Sequence, residues 1–405
     1  MERRITQIII VLLVIGTAVL WSCSHAEQYS VKMVKSEMMR NSDGAHLDGM
    51  DGKLKWNYTT GLELKAFLDV YQTYGGEDIF NYAEDWYDKI IDNEGVIYSY
   101  KLEKYNTDHI CPGRTLFYLY DQTGKEKYLK AINTLRLQLE THPRTSEGGF
   151  WHKETYPWQM WLDGLYMAQP FYAEYNARLG KPEEQDSVWA DIVNHFVVVA
   201  RHTFDNNTNL YRHAWDESKE MFWCDSATGQ SAHAWGRALG WYTMALVEVL
   251  DWIPEEFEGR QKLVDIFKGI CNTLPKYADS ETGMWYQVLD CPGREGNYVE
   301  ATCSAMFVYS YMKGLRKGLL DNEMKQYVDG LYPKLVKTFI KENGDGTITL
   351  TDCCAVAGLG GKENRSGDYQ YYINEKIIEN DPKGIGPFIW AALENERKLK
   401  GRLNL

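Results

Sequence analysis

The sequence lacks the cysteine spacing of a disulfide framework or a zinc site. It has eight cysteines among 405 residues, and no two of them form a Cys-x-x-Cys pair. Cys353 and Cys354 are adjacent, which leaves too little slack for an ordinary disulfide. The nine histidines include no i, i+4 helical pair of the kind that binds a catalytic metal. We therefore expect mostly buried free thiols, no metal site and no cofactor.

Several other functional patterns are also missing. There is no phosphate-binding loop, dinucleotide fingerprint or HExxH motif, and no Gly-x-Ser-x-Gly elbow of a serine hydrolase. Basic residues are few: 44 Lys and Arg stand against 57 Asp and Glu, which gives a net charge of −13. This charge argues against a nucleic-acid partner, and an anionic substrate would require a locally basic pocket. Oligomeric state is not readable from these features.

The N-terminus reads as an export signal over residues 1–23. Two arginines precede an apolar run over residues 8–20, and Cys23 follows, an arrangement that resembles a bacterial lipoprotein signal with Cys23 as the lipidated residue. A transmembrane anchor is the alternative, but the run is shorter than the ~20 residues that a span needs. We expect an exported periplasmic or outer-membrane lipoprotein that meets the membrane only through its lipid anchor.

Beyond the signal, the chain reads as a tether and one domain. Residues 24–50 are predicted to be a flexible N-terminal tether. Residues 51–405 show no Pro- or Ser-rich linker and no abrupt change of composition, so we predict a single domain. The 28 Tyr and 14 Trp are typical of a sugar-binding protein because flat rings stack on pyranose faces, although an aromatic core has the same composition.

Helical periodicity dominates the rest of the chain. It predicts eleven helices, with room for a twelfth, over residues 61–74, 77–91, 112–120, 126–139, 159–179, 183–203, 234–251, 255–278, 301–315, 323–340 and 386–398. Between helix pairs a turn recurs next to aromatic or apolar residues, at Gly95, Gly149, Asn209, Gly283 and Gly346. A unit of two helices and a short hairpin cannot bury its apolar face alone, so the units must pack side by side.

The repeated units predict an all-α fold, an (α/α)₆ barrel with short β-hairpins in the loops at the active-site end. An open solenoid is the alternative, but it would have more uniform repeat lengths and polar capping repeats. In the closed ring, the hairpin loops and helix starts collect at one end. Helix N-termini there present partial positive charge, which suits a carboxylated ligand.

One carboxylate stands out in an otherwise aromatic and apolar helix start. Asp163 lies between Trp161-Leu162 and Gly164-Leu165, where a charge must be paired or have a chemical role. A helix cap or a core ion pair is the alternative explanation.

A second candidate group surrounds Arg237. Arg237 and Trp241 are four residues apart on a predicted helix and so share a face. A guanidinium beside an indole can bind a carboxylate and stack on a sugar ring. A structural arginine folded over tryptophan is the alternative.

Six sequence blocks in order give the chain its family resemblance. They are Thr107-Asp-His-Ile-Cys-Pro-Gly113, Trp161-Leu-Asp-Gly-Leu-Tyr-Met167, Tyr211-Arg-His-Ala-Trp-Asp216, Trp235-Gly-Arg237 with Trp241, Val356-Ala-Gly-Leu-Gly-Gly361 and Asn380-Asp-Pro-Lys-Gly-Ile-Gly-Pro-Phe388. Together they resemble the unsaturated rhamnogalacturonyl hydrolases of glycoside hydrolase family 105, over roughly residues 55–395. Ala238-Leu239 departs from the family pattern, where Gly and often Asn are expected after the arginine.

The resemblance implies a role for each aligned residue. Asp163 is expected to be the catalytic acid and Asp108 its partner, which would favour the protonated form of Asp163 by like-charge repulsion. The expected substrate-binding residues are His109, Trp161, His213, Trp235, Arg237 and Trp241, with Arg237 holding the uronate carboxylate.

The implied substrate is an oligosaccharide whose non-reducing end is a 4,5-unsaturated uronic acid, most simply one from pectin rhamnogalacturonan. Asp163 would protonate C4 of the double bond, and water would add at C5. The alternatives are a glucuronyl hydrolase for other uronic-acid polysaccharides, a conventional inverting glycosidase with two carboxylates flanking the anomeric carbon, and a non-catalytic glycan-binding lipoprotein.

Overall fold

The fold is a double ring of helices, seen in a computed structural model that describes residues 28–44, 47 and 53–403. The inner ring consists of α2 (Tyr58–Tyr74), α4 (Gly113–Thr123), α6 (Leu162–Leu179), α8 (Gly236–Val249), α10 (Ala301–Arg316) and α13 (Pro382–Leu403). The outer ring consists of α1 (Tyr29–Arg40), α3 (Glu77–Ile90), α5 (Glu126–Thr141), α7 (Gln185–Thr203), α9 (Arg260–Thr273) and α11 (Lys325–Phe339). A short helix, α12 (Tyr369–Asn374), precedes the last inner helix.

All eleven predicted helices are confirmed, and so is the (α/α)₆ barrel. The expectation of a flexible tether over 24–50 is wrong for residues 29–40, which form the missing twelfth helix, α1. This helix buries Met33 and Val34 and packs against α13, so the N-terminal helix closes the ring against the C-terminal one. The predicted signal and Cys23 lie outside the described residues.

Burial patterns show why the two rings differ. Every residue of α8 is buried, as expected for a helix enclosed on all sides. The outer helix α3 instead buries Ile79, Ala83, Trp86 and Ile90, a stripe at helical spacing that leaves its other face to solvent. Among the described helices, none is both long and apolar enough to cross a membrane.

Short antiparallel strands form in the loops that join the helices. In the described ranges the eight strands are β1 (Gln159–Trp161), β2 (Phe204–Asp205), β3 (Leu210–Tyr211), β4 (Ala214–Asp216), β5 (Ile340–Glu342), β6 (Ile348–Leu350), β7 (Cys353–Cys354) and β8 (Ile377–Ile378). They pair as β1–β4, β2–β3, β5–β6 and β7–β8. Four predicted turn residues have positive φ, namely Gly95, Asn209, Gly283 and Gly346, but at the remaining turn Gly148 has positive φ in place of Gly149.

The seven cysteines within the described ranges are free thiols, and five of them are buried, which confirms the expectation for that part of the chain. Cys353 and Cys354 form strand β7, which pairs with β8.

The C-terminal ends of the inner helices surround a charged cavity of about 500 Å³. At its floor, the buried carboxylate of Glu248 on α8 forms ion pairs with Arg114 Nη2 at 2.7 Å and with Lys313 Nζ at 3.2 Å. Tyr309 also donates a short hydrogen bond to this carboxylate. Three inner helices, α4, α8 and α10, are thereby joined through one charged group.

We predict that Glu248→Gln lowers the free energy of unfolding by ~3 kcal/mol or more, because buried Arg114 would lose its carboxylate partner. Lys313 would keep its second partner, Asp251 Oδ2, at 2.6 Å. Urea denaturation measures the change. Glu184→Gln is the control, since Glu184 forms an exposed pair with Lys181 at 2.8 Å and should cost ~0.5 kcal/mol at most. Equal costs for the two variants would contradict the structural role.

The same network predicts a pH dependence. Burial raises the pKa of Glu248, but Lys313 and Arg114 outweigh it and hold the pKa well below its usual range. The folded pKa is therefore lower than the unfolded one, so this stabilisation is present above the unfolded pKa, ~4.3, and is lost as pH falls below it. The difference between wild type and Glu248→Gln should shrink as the pH falls below ~4.

Candidate active site

Asp163 is the second residue of α6, at the end of the barrel where the inner helices begin. Strand β1 leads directly into this helix, and main-chain N–H of Leu162 donates to His213 O at 3.0 Å. The Asp163 side chain is 14% exposed. Its Oδ2 atom is buried, which leaves Oδ1 as the oxygen available to a substrate.

The nearest titratable neighbour of Asp163 is His213. Asp163 Oδ2 and His213 Nε2 are 3.3 Å apart, yet they are not aligned as a hydrogen bond, and neither atom has another partner among the described residues. His213 Nδ1 and the hydroxyl of Tyr372 are 2.7 Å apart. With the phenol as donor, Nδ1 accepts and the ring N–H is on Nε2, which faces the Asp163 carboxyl group.

A stack of rings forms one wall next to this pair. The ring of Trp161 is nearly parallel to those of His152, with centroids 4.5 Å apart, and Tyr156, at 5.1 Å. The edge of Trp161 also meets His213 at 5.3 Å. Gly164 allows the close approach of His152, because a β-carbon there would be 2.9 Å from the imidazole Nδ1. The predicted proximity of Trp161, Asp163 and His213 is thus what the structure shows.

Asp108 lies beside His152 and is held by a lysine that the sequence did not single out. Lys153 Nζ is 2.7 Å from Asp108 Oδ2, and His152 Nε2 is 3.8 Å from Oδ1. Burial raises the pKa of Asp108, but Lys153 and His152 lower it more, so the net pKa is below its usual range. Burial lowers the pKa of His152 to about 4. Asp108 is therefore an anion and His152 neutral near pH 7.

The Lys153 pair changes the expected role of Asp108. A like-charge effect of Asp108 on Asp163 requires an uncompensated carboxylate, whereas this carboxylate is ion-paired. The expected substrate role of His109 stays a prediction. Its ring packs edge-on against Tyr100 at 5.9 Å, and burial lowers its pKa.

The predicted clamp of Arg237 and Trp241 is wrong in its geometry. The guanidinium of Arg237 lies over the ring of Trp235, 4.7 Å from the centroid, and Nη1 donates to Cys354 O at 2.5 Å. Trp241 is 1% exposed and packs against Tyr166 at 4.7 Å, because it points into the barrel core. Whether Arg237, Trp235 and Trp241 bind substrate stays a prediction.

Arg237 also has nearby buried acids. Burial lowers the pKa of Arg237, but Cys354, Asp381 and Glu300 raise it more, with a net increase. The Glu300 carboxylate accepts from Cys303 N at 2.7 Å and from Cys354 N at 2.9 Å, so it joins the start of α10 to β7. Arg237 therefore lies within a buried polar network.

Sequence reasoning missed three further residues at this end of the barrel, Tyr58, Lys153 and Tyr372. Tyr58 is the first residue of α2. Burial and the negative charges of Asp108 and Asp163 raise the pKa of its hydroxyl well above the usual value. Tyr372 follows His213 by 159 residues, so local spacing gave no signal for the contact. Lys153 follows His152 directly and could have been found from the need for a basic pocket.

One group of side chains in the described ranges has the chemistry of metal ligands. Ligand atoms of His233, Asp290 and Cys291 lie within 4.8 Å of one another. Asp290 Oδ2 already receives His233 Nδ1 at 3.0 Å and Arg212 Nη1 at 2.9 Å, while Oδ1 accepts from Ala234 N. These contacts satisfy the carboxylate without an ion.

The fold is an (α/α)₆ barrel with carboxylates and aromatic rings at one end, and comparison with known proteins gives the family. The sequence profile of glycosyl hydrolase family 88 matches residues 29–399, and the chain belongs to this family. A structure of a family 105 glycoside hydrolase from C. acetobutylicum ATCC 824 superposes with a TM-score of 0.87 at 42% identity, covering 92% of this chain and 100% of that chain. The sequence resemblance to family 105 is thereby confirmed.

Two more distant proteins are similar to this chain, one in sequence and one in fold. Unsaturated rhamnogalacturonyl hydrolase YesR of Bacillus subtilis (strain 168) is 26% identical over 351 residues, covering 85% of this chain and 91% of that protein. Unsaturated glucuronyl hydrolase from Bacillus sp. GL1 shares the fold, with a TM-score of 0.65 at 14% identity over 91% of this chain and 96% of that chain. The family acts on unsaturated uronyl oligosaccharides.

We predict that Tyr372→Phe lowers kcat/KM about five-fold, the equivalent of ~1 kcal/mol for one neutral hydrogen bond, because it frees the His213 ring and its tautomer. Steady-state kinetics on an unsaturated uronyl oligosaccharide measure the loss. Tyr369→Phe is the matched control, because Tyr369 is on the same short helix, α12. Its hydroxyl donates instead to Glu295 O, at 2.9 Å. A similar loss in both variants would show a general effect of α12 rather than one on His213.

Proposed function

We propose that the protein removes a 4,5-unsaturated uronic acid from the non-reducing end of lyase-generated oligosaccharides, with Asp163 as the acid. The observation that carries this is the Asp163–His213–Tyr372 arrangement, in which a partly exposed carboxyl group has one buried oxygen directed at an oriented imidazole. Pectin rhamnogalacturonan is the substrate source we favour, supported by the similarity to an enzyme named for rhamnogalacturonyl hydrolysis.

The reaction uses one carboxyl group for two proton transfers. Asp163 donates its proton from Oδ1 to C4 of the double bond, while Oδ2 faces the N–H of His213. Positive charge then develops at C5 and the ring oxygen. Water adds at C5 and returns a proton to Asp163. The resulting hemiketal opens to a ketone, and the freed hemiacetal at C1 collapses to an aldehyde and releases the neighbouring sugar.

The surrounding residues favour this chemistry over a double-carboxylate mechanism. A conventional inverting glycosidase needs a second carboxylate that acts as a base on water. Asp108 is the neighbouring acid, but its charge is compensated by Lys153 at 2.7 Å, which suits it to positioning. Saturated oligosaccharides as good substrates would favour the conventional mechanism, and binding without turnover would favour a glycan-binding protein.

We predict that Asp163→Asn lowers the rate at which the ultraviolet absorbance of the conjugated double bond disappears by ~10³-fold, since an amide cannot donate the proton. The variant should still bind substrate in calorimetry. Asp225→Asn is the control, because Asp225 is an exposed rim acid whose turn contacts to Ala227 and Thr228 an amide oxygen can keep. Turnover of Asp163→Asn within a few-fold of wild type would reject the acid role.

The parent polysaccharide is decided by a substrate panel. A glucuronyl hydrolase of similar fold makes other uronic-acid polysaccharides the second candidate source. Unsaturated disaccharides that differ in the aglycone sugar, followed in the ultraviolet, would rank rhamnose against other sugars by kcat/KM.

We also propose that the protein is exported as a bacterial lipoprotein, supported by the basic, apolar and cysteine segments of residues 1–23. Cys23→Ser should abolish incorporation of labelled fatty acid and move the protein from the membrane fraction. Cys224→Ser, a partly buried thiol in a loop, should leave labelling unchanged. Labelling that persists in Cys23→Ser would overturn the proposal.

A further inference from the structure

Arg365 occupies a position on the wall of the site that no sequence block assigned. Its Nη2 atom is 3.1 Å from the hydroxyl of Tyr156, whose ring is nearly parallel to those of Trp161 and His152. Lys153 Nζ lies 5.8 Å from the centroid of the Tyr156 ring. Two cations therefore meet the same tyrosine, one at its face and one at its hydroxyl end.

A glycine-rich loop is built to seat this guanidinium. Arg365 N and Nε both donate to Gly360 O, at 3.1 Å, which closes the loop on itself. A β-carbon on Gly358 would lie 2.6 Å from Arg365 Nη1, and one on Gly361 would lie 3.1 Å from Nη2. Leu359, between these glycines, is buried in a cluster with Trp161. The Gly-Leu-Gly-Gly sequence thus makes room for Arg365 and anchors it to the active-site wall.

The charge of Arg365 is poorly compensated inside the protein. Within the described part of the chain, the acidic side chain within 4 Å of its guanidinium is Glu363, at 3.7 Å and 78% exposed. Lys153, by contrast, pairs with Asp108 at 2.7 Å. An exposed pair contributes little energy, so the guanidinium retains its attraction for another anion. In a chain with a net charge of −13, such a cation beside the site favours an anionic substrate.

We propose that Arg365 is a substrate-binding residue that holds a carboxylate of the oligosaccharide against Tyr156. This rests on the proposed function, since it places the anionic group of that substrate. The carboxylate belongs either to the terminal unsaturated ring or to a uronate further along the chain. Guanidinium is suited to both because its planar N–H groups match a carboxylate.

Arg365→Gln is the test, with Lys362→Gln as the matched control. Lys362 is an exposed cation of the same loop. Its substitution by glutamine therefore removes the same charge but leaves the contact between Arg365 and Tyr156 in place. We expect KM to rise about ten-fold in Arg365→Gln, as for loss of a charged hydrogen bond, with kcat within two-fold and Lys362→Gln unchanged. In an Asp163→Asn background, calorimetry should show the same ten-fold weakening of binding.

Substrate esters separate substrate binding from a structural role of the loop. Methyl esterification of the substrate should raise KM of the wild type about ten-fold and leave KM of Arg365→Gln unaffected. If only esters of the terminal ring raise KM, Arg365 binds the carboxylate of that ring. If only esters of longer oligosaccharides raise KM, Arg365 binds a later uronate. Equal effects of Arg365→Gln on acid and ester substrates, or an unchanged KM, would overturn the proposal. Wild type that consumes no unsaturated substrate would instead reject the proposed function.

Discussion

Closure of the helical ring is the constraint on which the active site depends. The outer helix that completes the ring, α1, comes from the N-terminal end of the domain, and it packs on α13 at the C-terminal end. Ser30 N and Oγ donate to the Glu396 carboxylate at 3.1 and 2.6 Å, and Tyr74 donates to the same group at 2.8 Å. Once these ends meet, the N-termini of all six inner helices are held at one mouth.

The two ends of the barrel have opposite electrostatic characters because the inner helices are parallel. At the N-terminal end, partial positive charge on the main chain favours anions, and Asp108 and Asp163 lie there. At the C-terminal end, the helices present carbonyl groups, and Arg114, Arg178 and Lys313 line the cavity. The fold therefore supplies one end where helix N-termini favour an anionic ligand and another where Arg114 and Lys313 join the inner helices through their contacts with Glu248.

Periodicity predicted the helices well because burial of an apolar face decides where a helix forms in this fold. The same rule failed for residues 29–40, where Met33 and Val34 are buried in a helix that packs against α13, with contacts such as Ser30 to Glu396, 366 residues apart. The sequence around residues 29–40 carries no signal for such a distant contact. The same limit applies to the active site. Asp163 and Trp161 lie in one short segment and could be predicted together, whereas Tyr372 and Arg365 are distant in sequence and come close to them only in the folded protein.

The error at Arg237 shows what a shared helix face leaves undetermined. Arg237 and Trp241 are on neighbouring turns of α8, but the helix is enclosed along its length, so each side chain takes its partner from a different part of the barrel. The guanidinium lies over Trp235 and donates to Cys354 O. Arg237 is 2% exposed, whereas Arg365 is 17% exposed and its carboxylate neighbour, Glu363, faces solvent. Arg365 is the better candidate for binding a substrate carboxylate, because its guanidinium is also within hydrogen-bonding distance of Tyr156 on the active-site wall.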